Sequence, residues 1–195
     1  MWGAFLEIFC ALTGIGTAVV LFPVVKRQNE TAALGFVTAR VVEAGMILVG
    51  VLSVLSLVTL HQSGASGAEA ASLVGNARSL VAVHDWTFLL GPGMIPAVNA
   101  LCLGYVLYRS RLVPRILPIL GFIGAPILFA FSTATLFGLV DQVSAAAAVT
   151  ALPIATWEFS LGVWLVVKGF KPSPIISDEA PTNQAFDGAL VSAGA

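Results

Sequence analysis

The sequence predicts an all-α, polytopic bundle of transmembrane helices. Three observations carry that expectation. Hydrophobic residues make up 58% of the chain and charged residues only 10%, with a mean hydropathy of +0.97, against roughly 45–50% and 25% in a soluble domain. Apolar stretches recur that reach the about 20 residues a helix needs to cross a bilayer. No period-two alternation competes with them, and lipid offers backbone amides and carbonyls no hydrogen-bond partner, so such stretches have to be helical.

The elements follow in order. A first span is expected over Gly3–Val25, closed by Lys26 and Arg27, and a second over Leu34–Leu60, with Arg40 and Glu43 inside it. Ser66-Gly67-Ala68-Glu69 has capping-box spacing and predicts the start of an outer helix. It would run through Val74 and Arg78 toward the third span, although Gly75 weakens its continuity. The third span, Leu80–Tyr108, opens with His84 and Asp85 and reaches Asn99 past Gly91, Pro92, Gly93 and Pro96. Prolines remove amide donors and kink helices, so a bend or local unwinding is expected between the outer and middle polar groups. The fourth span is Ile116–Val140, and the fifth, Ala147–Val167, carries Glu158. Residues 1–170 thus form the membrane domain. From Lys171 the composition turns to Pro, Ser, Asp and Ala, and 171–195 reads as a disordered cytoplasmic tail. Gly14 with Ala18, Gly121 with Ala125 and Ala130 with Ala134 are small residues four apart, which favour close packing of helices in lipid.

Orientation comes from the basic residues of the short loops. Lys26 and Arg27, then Arg109, Arg111 and Arg115, then Lys168 and Lys171 fall on alternate connections and therefore on one side. The other side has Arg78 together with His61, Glu69 and Asp141. The basic side is expected to be cytoplasmic, in a bacterial inner membrane, with the C-terminus inside. Five spans would then leave Met1 outside, in an apolar run with no flank before it. A cleaved signal peptide fits poorly, because a basic n-region is missing and the run is too long. The expectation is a further upstream helix, making six in the intact protein with both ends inside.

The runs Trp2-Gly3-Ala4-Phe5-Leu6-Glu7, Val83-His84-Asp85-Trp86-Thr87-Phe88-Leu89-Leu90-Gly91-Pro92-Gly93, Tyr108-Arg109-Ser110-Arg111-Leu112-Val113-Pro114-Arg115 and Trp157-Glu158-Phe159-Ser160-Leu161-Gly162 resemble the bacterial membrane proteins of domain-of-unknown-function family 4386. The resemblance covers about residues 1–174. It implies a six-helix bundle with one helix ahead of the segment that opens this chain, and it implies no activity.

Ionisable groups inside a span are where function is sought, since each costs roughly 2.5–3.5 kcal/mol at a helix centre on insertion scales. At about 1.5 Å rise per residue, Glu43, Asn99 and Glu158 each fall about 13 Å from one end of their spans, near the midplane. Arg40 lies three residues before Glu43, on an adjacent part of the same helix face. Arg40, Glu43, Asn99 and Glu158 are therefore the candidate buried polar or ligand site, with Arg40 pairing Glu43, Glu158 or both. Glu7, His84 and Asp85 form a candidate outer polar group, and in an unbroken helix Asp85 and Asn99 would nearly align.

Two readings of the midplane cluster compete. It is either a satisfied structural network in a protein with an accessory membrane role, or the site of a small-solute or proton-coupled carrier, for which broken helices with midplane charges are the usual parts. Intramembrane enzyme chemistry comes third. His61 and His84 are the sole histidines, so no multi-His metal site is expected, and no catalytic residue, metal or cofactor is assigned. Cys10 and Cys102 should lie in opposite halves of the bilayer and stay unpaired. Ser132 and Ser160 should bond backbone carbonyls. The expected partners are the lipid bilayer and a homodimer or second membrane protein, with an unknown small ligand and no nucleic acid.

Overall fold

A computed structural model of the chain describes residues 1–62 and 68–173. Six α-helices follow one another, α1 Trp2–Val25, α2 Glu30–Gln62, α3 Ala68–Leu90, α4 Ile95–Ser110, α5 Ile116–Leu136 and α6 Ala145–Val167, with no strand among the described residues. Among the described residues five stretches are long and apolar enough to cross a membrane, because α3 and α4 together make one, Ser72–Ser110.

The ends of the helices differ from hydropathy where local chemistry decides. Asn29 caps α2, its Oδ1 accepting the Ala32 amide at 2.8 Å, so the helix begins at Glu30 instead of Leu34. Its 33 residues make it about 50 Å long, well beyond the roughly 30 Å hydrocarbon core. The Ser144 hydroxyl accepts from Ala147 N and starts α6 two residues ahead of the expected Ala147. Helix α5 stops at Leu136, short of the expected Val140. There Gly138 takes a φ of 71° and Leu139 N turns back to Ala134 O at 2.9 Å, a left-handed close that apolar content does not reveal. The expected outer helix and the first part of the third span are one helix, α3, unbroken through Gly75. Ser66 and Gly67 of the capping-box reading, and residues 174–195 of the tail, lie outside the described residues.

The break in the third span falls at Gly91–Met94. Gly91 N still reaches Thr87 O and Gly93 N reaches Phe88 O, both at 2.9 Å, before Pro96 sits in the first turn of α4. A Cβ on Gly93 would stand 2.3 Å from Leu89 O, so the turn is closed to any larger residue. Ala97 N bonds Met94 O, a tightened turn that leaves Gly93 O without a helical donor. Ser132 of α5 supplies one, donating to Gly93 O at 2.7 Å. The expected hydroxyl-to-backbone bond of Ser132 is thus one between helices, whereas Ser160 bonds Trp157 O in its own helix. Asp85 and Asn99 end up on separate helices.

Helix α2 packs on α1, α3 and α4, and the packing continues from α4 to α5 and from α5 to α6. Two glycines set the last of these approaches. Cβ atoms on Gly121 and Gly124 would come within 3.0 Å of the Trp157 ring and 2.8 Å of Ile154 N, so α5 and α6 meet almost backbone to backbone. Gly14 has nothing within 4 Å and faces open space, unlike the close packing expected there. The largest fully buried side chains, among them Phe36, Leu107, Leu112, Val25 and Val106, gather where α1 ends, α2 begins and α4 ends. That is the basic end. Lys171 N bonds Leu112 O at 2.8 Å and Ser173 Oγ bonds Ser110 O, which ties the residues after α6 to the turn after α4. The dense core thus occupies one half of the bundle, and the half beyond the helix break is more open. Trp2, Phe5, Phe9, Phe159 and Val166 are exposed around the outside, as lipid-facing positions are.

Candidate functional site

The four midplane residues come from three helices. Arg40 lies on α2 one turn before Glu43, Asn99 begins the second turn of α4, and Glu158 sits midway along α6. Arg40 donates from one terminal nitrogen to Glu43 Oε2 at 3.1 Å and from the other to Glu158 Oε1 at 2.5 Å. Asn99 Nδ2 donates to the same Glu43 Oε2 at 2.8 Å. The Arg40 guanidinium also lies 6.0 Å over the Phe36 ring, a cation–π placement. Asn99 and Glu43 are buried, while the Glu158 side chain keeps 38% of its surface exposed.

Two features of this cluster matter chemically. One guanidinium faces two carboxylates, so with both ionised one negative charge is in excess. The bonding is also uneven: both donors to Glu43 converge on Oε2, while Arg40 Nε and Asn99 Oδ1 are buried without a hydrogen-bond partner. Buried polar groups are paired as a rule, so the network is incompletely satisfied.

Cavities flank it on both sides. One of about 250 Å³ lies on the open side of the helix break, lined by Glu7, Cys10, Glu43, Ile47, Gly50, His84, Thr87, Phe88 and Pro92. The other, about 260 Å³, is a groove between α1 and α6 with α2 and α4 behind it, and Arg40 and Glu158 are among its lining residues.

The outer polar group assembles at the first cavity. His84 Nε2 lies 3.3 Å from Glu7 Oε1, and its ring stacks on Phe88 with centroids 6.4 Å apart. Asp85 stands aside, 3.7 Å from His84 Nδ1 and largely exposed, and its backbone carbonyl accepts from Gln142 Nε2. Gly91, Pro92 and Gly93 lie in the break before Asn99 and Pro96 in the first turn of α4, and of these Pro92 lines the cavity. Among the described residues no group of three or more His, Cys, Asp and Glu is placed to hold a metal ion. The cysteines are unpaired.

Sequence reasoning missed Cys10, which lines both cavities. Its signal was present: Glu7, Cys10, Gly14, Thr17 and Leu21 recur at three- and four-residue steps and mark one face of α1. The bonds of Ser132 to Gly93 and of Gln142 to Asp85 had no comparable signal, because each joins residues far apart in the chain.

The fold and these sites define a multi-pass membrane protein with a charged cluster in its interior and cavities on either side. A family profile described as Domain of unknown function (DUF4386) matches residues 1–169, and the chain belongs to that family. Searches of curated proteins and of solved structures returned no match.

Proposed function

We propose that this protein resides in a bacterial inner membrane with its basic end and C-terminus in the cytoplasm, and serves a structural or accessory role there, with the Arg40 network as a clamp between helices. The observation that carries the clamp is the reach of Arg40 from α2 to Glu158 on α6, two helices that otherwise scarcely touch. Helix α6 rests chiefly on α5, so the ion pair sets the width of the groove between α6 and α1. Spin labels at Thr17 and Gly162, which line opposite walls of that groove, give a narrow distance distribution in the native chain and a broad one in Arg40→Met. An unchanged distribution removes the clamp.

A second reading, carriage of a small solute or of protons, is favoured by the two cavities that meet the network from opposite sides next to a broken helix. Its test is proteoliposomes holding a pH-sensitive dye. Gradient-driven acidification that Glu43→Gln abolishes supports carriage, and native vesicles no leakier than empty ones rule out proton movement.

A further inference from the structure

We infer that the outer cavity is a binding site for a small organic cation, an ammonium group carried on an apolar body. The inference goes beyond the clamp: it uses the Arg40 pairing only for its charge balance, and its site lies on the other side of the network from the groove.

Charge comes first. Glu7 and Glu43 both line this cavity, from α1 and α2. With Glu43 and Glu158 both ionised, Arg40 shared between them leaves one carboxylate charge in excess, and His84 offsets Glu7 only when protonated. An anion would meet carboxylates and no free cation, so the electrostatics select for positive charge. Glu43 is nine-tenths buried, with both of its hydrogen bonds on Oε2. Its Oε1 is the oxygen left for an occupant, and a buried carboxylate oxygen in an apolar wall gains more from a cation than one in water does.

Shape and lining decide what kind of cation. A bare metal ion of the hard class takes about 6–8 oxygen ligands, whereas the side chains here supply Glu7, Glu43 and Thr87 against Ile47, Phe88 and Pro92. An engineered cavity of about 150 Å³ accepts benzene, so about 250 Å³ accommodates a ring with a substituted ammonium. Phe88, stacked with His84, supplies an aromatic face of the sort that attracts quaternary ammonium groups. The site exists because the chain breaks at Gly91–Met94 and because Gly50 brings α2 against α3, where a Cβ would stand 2.8 Å from Thr87 Oγ1.

The test uses Cys10, which lines the cavity, as the reporter. The 195-residue chain in detergent is treated with N-ethylmaleimide, and modification of the Cys10 peptide is followed by mass spectrometry with benzyltrimethylammonium or its uncharged isostere neopentylbenzene present. Benzyltrimethylammonium is expected to slow modification at least about fivefold at saturation and neopentylbenzene not at all. Glu7→Gln removes one charge-assisted contact and should raise the half-protecting concentration about tenfold. Ile47→Phe fills the cavity and should abolish protection. Glu7 and Ile47 line this cavity and not the groove, so the two variants also locate the probe. Equal protection by neopentylbenzene, no protection by the cation, or protection undiminished in either variant overturns the proposal. If a variant does not fold, the comparison of charged and uncharged probes on the native chain decides alone.

Discussion

Removing Arg40 tests the charged cluster most directly. Arg40→Met keeps a long flexible side chain against Phe36 and withdraws the cation from two carboxylates at once. Arg40 and Glu43 retain 17% and 11% of their side-chain surface, so Glu43 would be left charged in a nearly closed site with Asn99 as its remaining donor. Stranding one partner of a buried pair costs about 3–5 kcal/mol. For a chain of this size that lowers the unfolding midpoint by about 6–20 °C, at about 2–4 °C per kcal/mol. Glu158 keeps 38% of its side-chain surface uncovered by protein, so it is less enclosed than Glu43 and its share should be the smaller, on the order of 1 kcal/mol. Glu158→Gln alone should cost little, because Arg40 and Glu43 then balance. The assay is unfolding by SDS titration in mixed micelles, followed by circular dichroism, across the cycles Arg40→Met with Glu43→Gln and Arg40→Met with Glu158→Gln. Neutralising Glu43 should recover most of the loss and neutralising Glu158 a smaller part, with coupling energies of about 2–3 and about 1 kcal/mol. A harmless Arg40→Met, or effects that add within about 0.5 kcal/mol in both cycles, would refute the reasoning.

Other expectations concern single contacts. Ser132→Ala leaves Gly93 O without its donor and should cost about 1–3 kcal/mol, while Ser160→Ala, which bonds within its own helix, should be near neutral in the same titration. Gly124→Ala places a methyl 2.8 Å from Ile154 N and should destabilise the α5–α6 pair by about 1–3 kcal/mol. Gly14→Ala meets open space and should cost nothing, so equal losses at the two glycines would contradict the packing described. Cysteines placed beside Arg111 and Lys171 should react with an impermeant maleimide only from the cytoplasmic side of oriented vesicles, and one beside Asp141 only from the outside. Labelling of all three from one face would sink the orientation.

The helical class and the five spans were legible because a bilayer obliges every backbone group to bond within its own helix, which turns apolar length directly into helix. The break at Gly91–Met94 was legible as well, since proline and glycine act on the backbone that carries them. The ends were less so. Asn29 and Gly138 end or begin helices through one side chain or one φ angle, and neither changes hydropathy much. Of the charged cluster, the Arg40–Glu43 pair was visible as a three-residue step on one helix. That Arg40 also meets Glu158, while Asn99 meets Glu43, depends on which faces of α2, α4 and α6 turn toward one another. Nearly uniform apolar surface says little about that, because lipid is as good a partner for it as another helix. The cavities belong wholly to the tertiary structure. They lie where α3 breaks away from α4 and where α6 stands off from α1, and empty space of that kind is a property of how helices are set against each other, which no residue carries by itself.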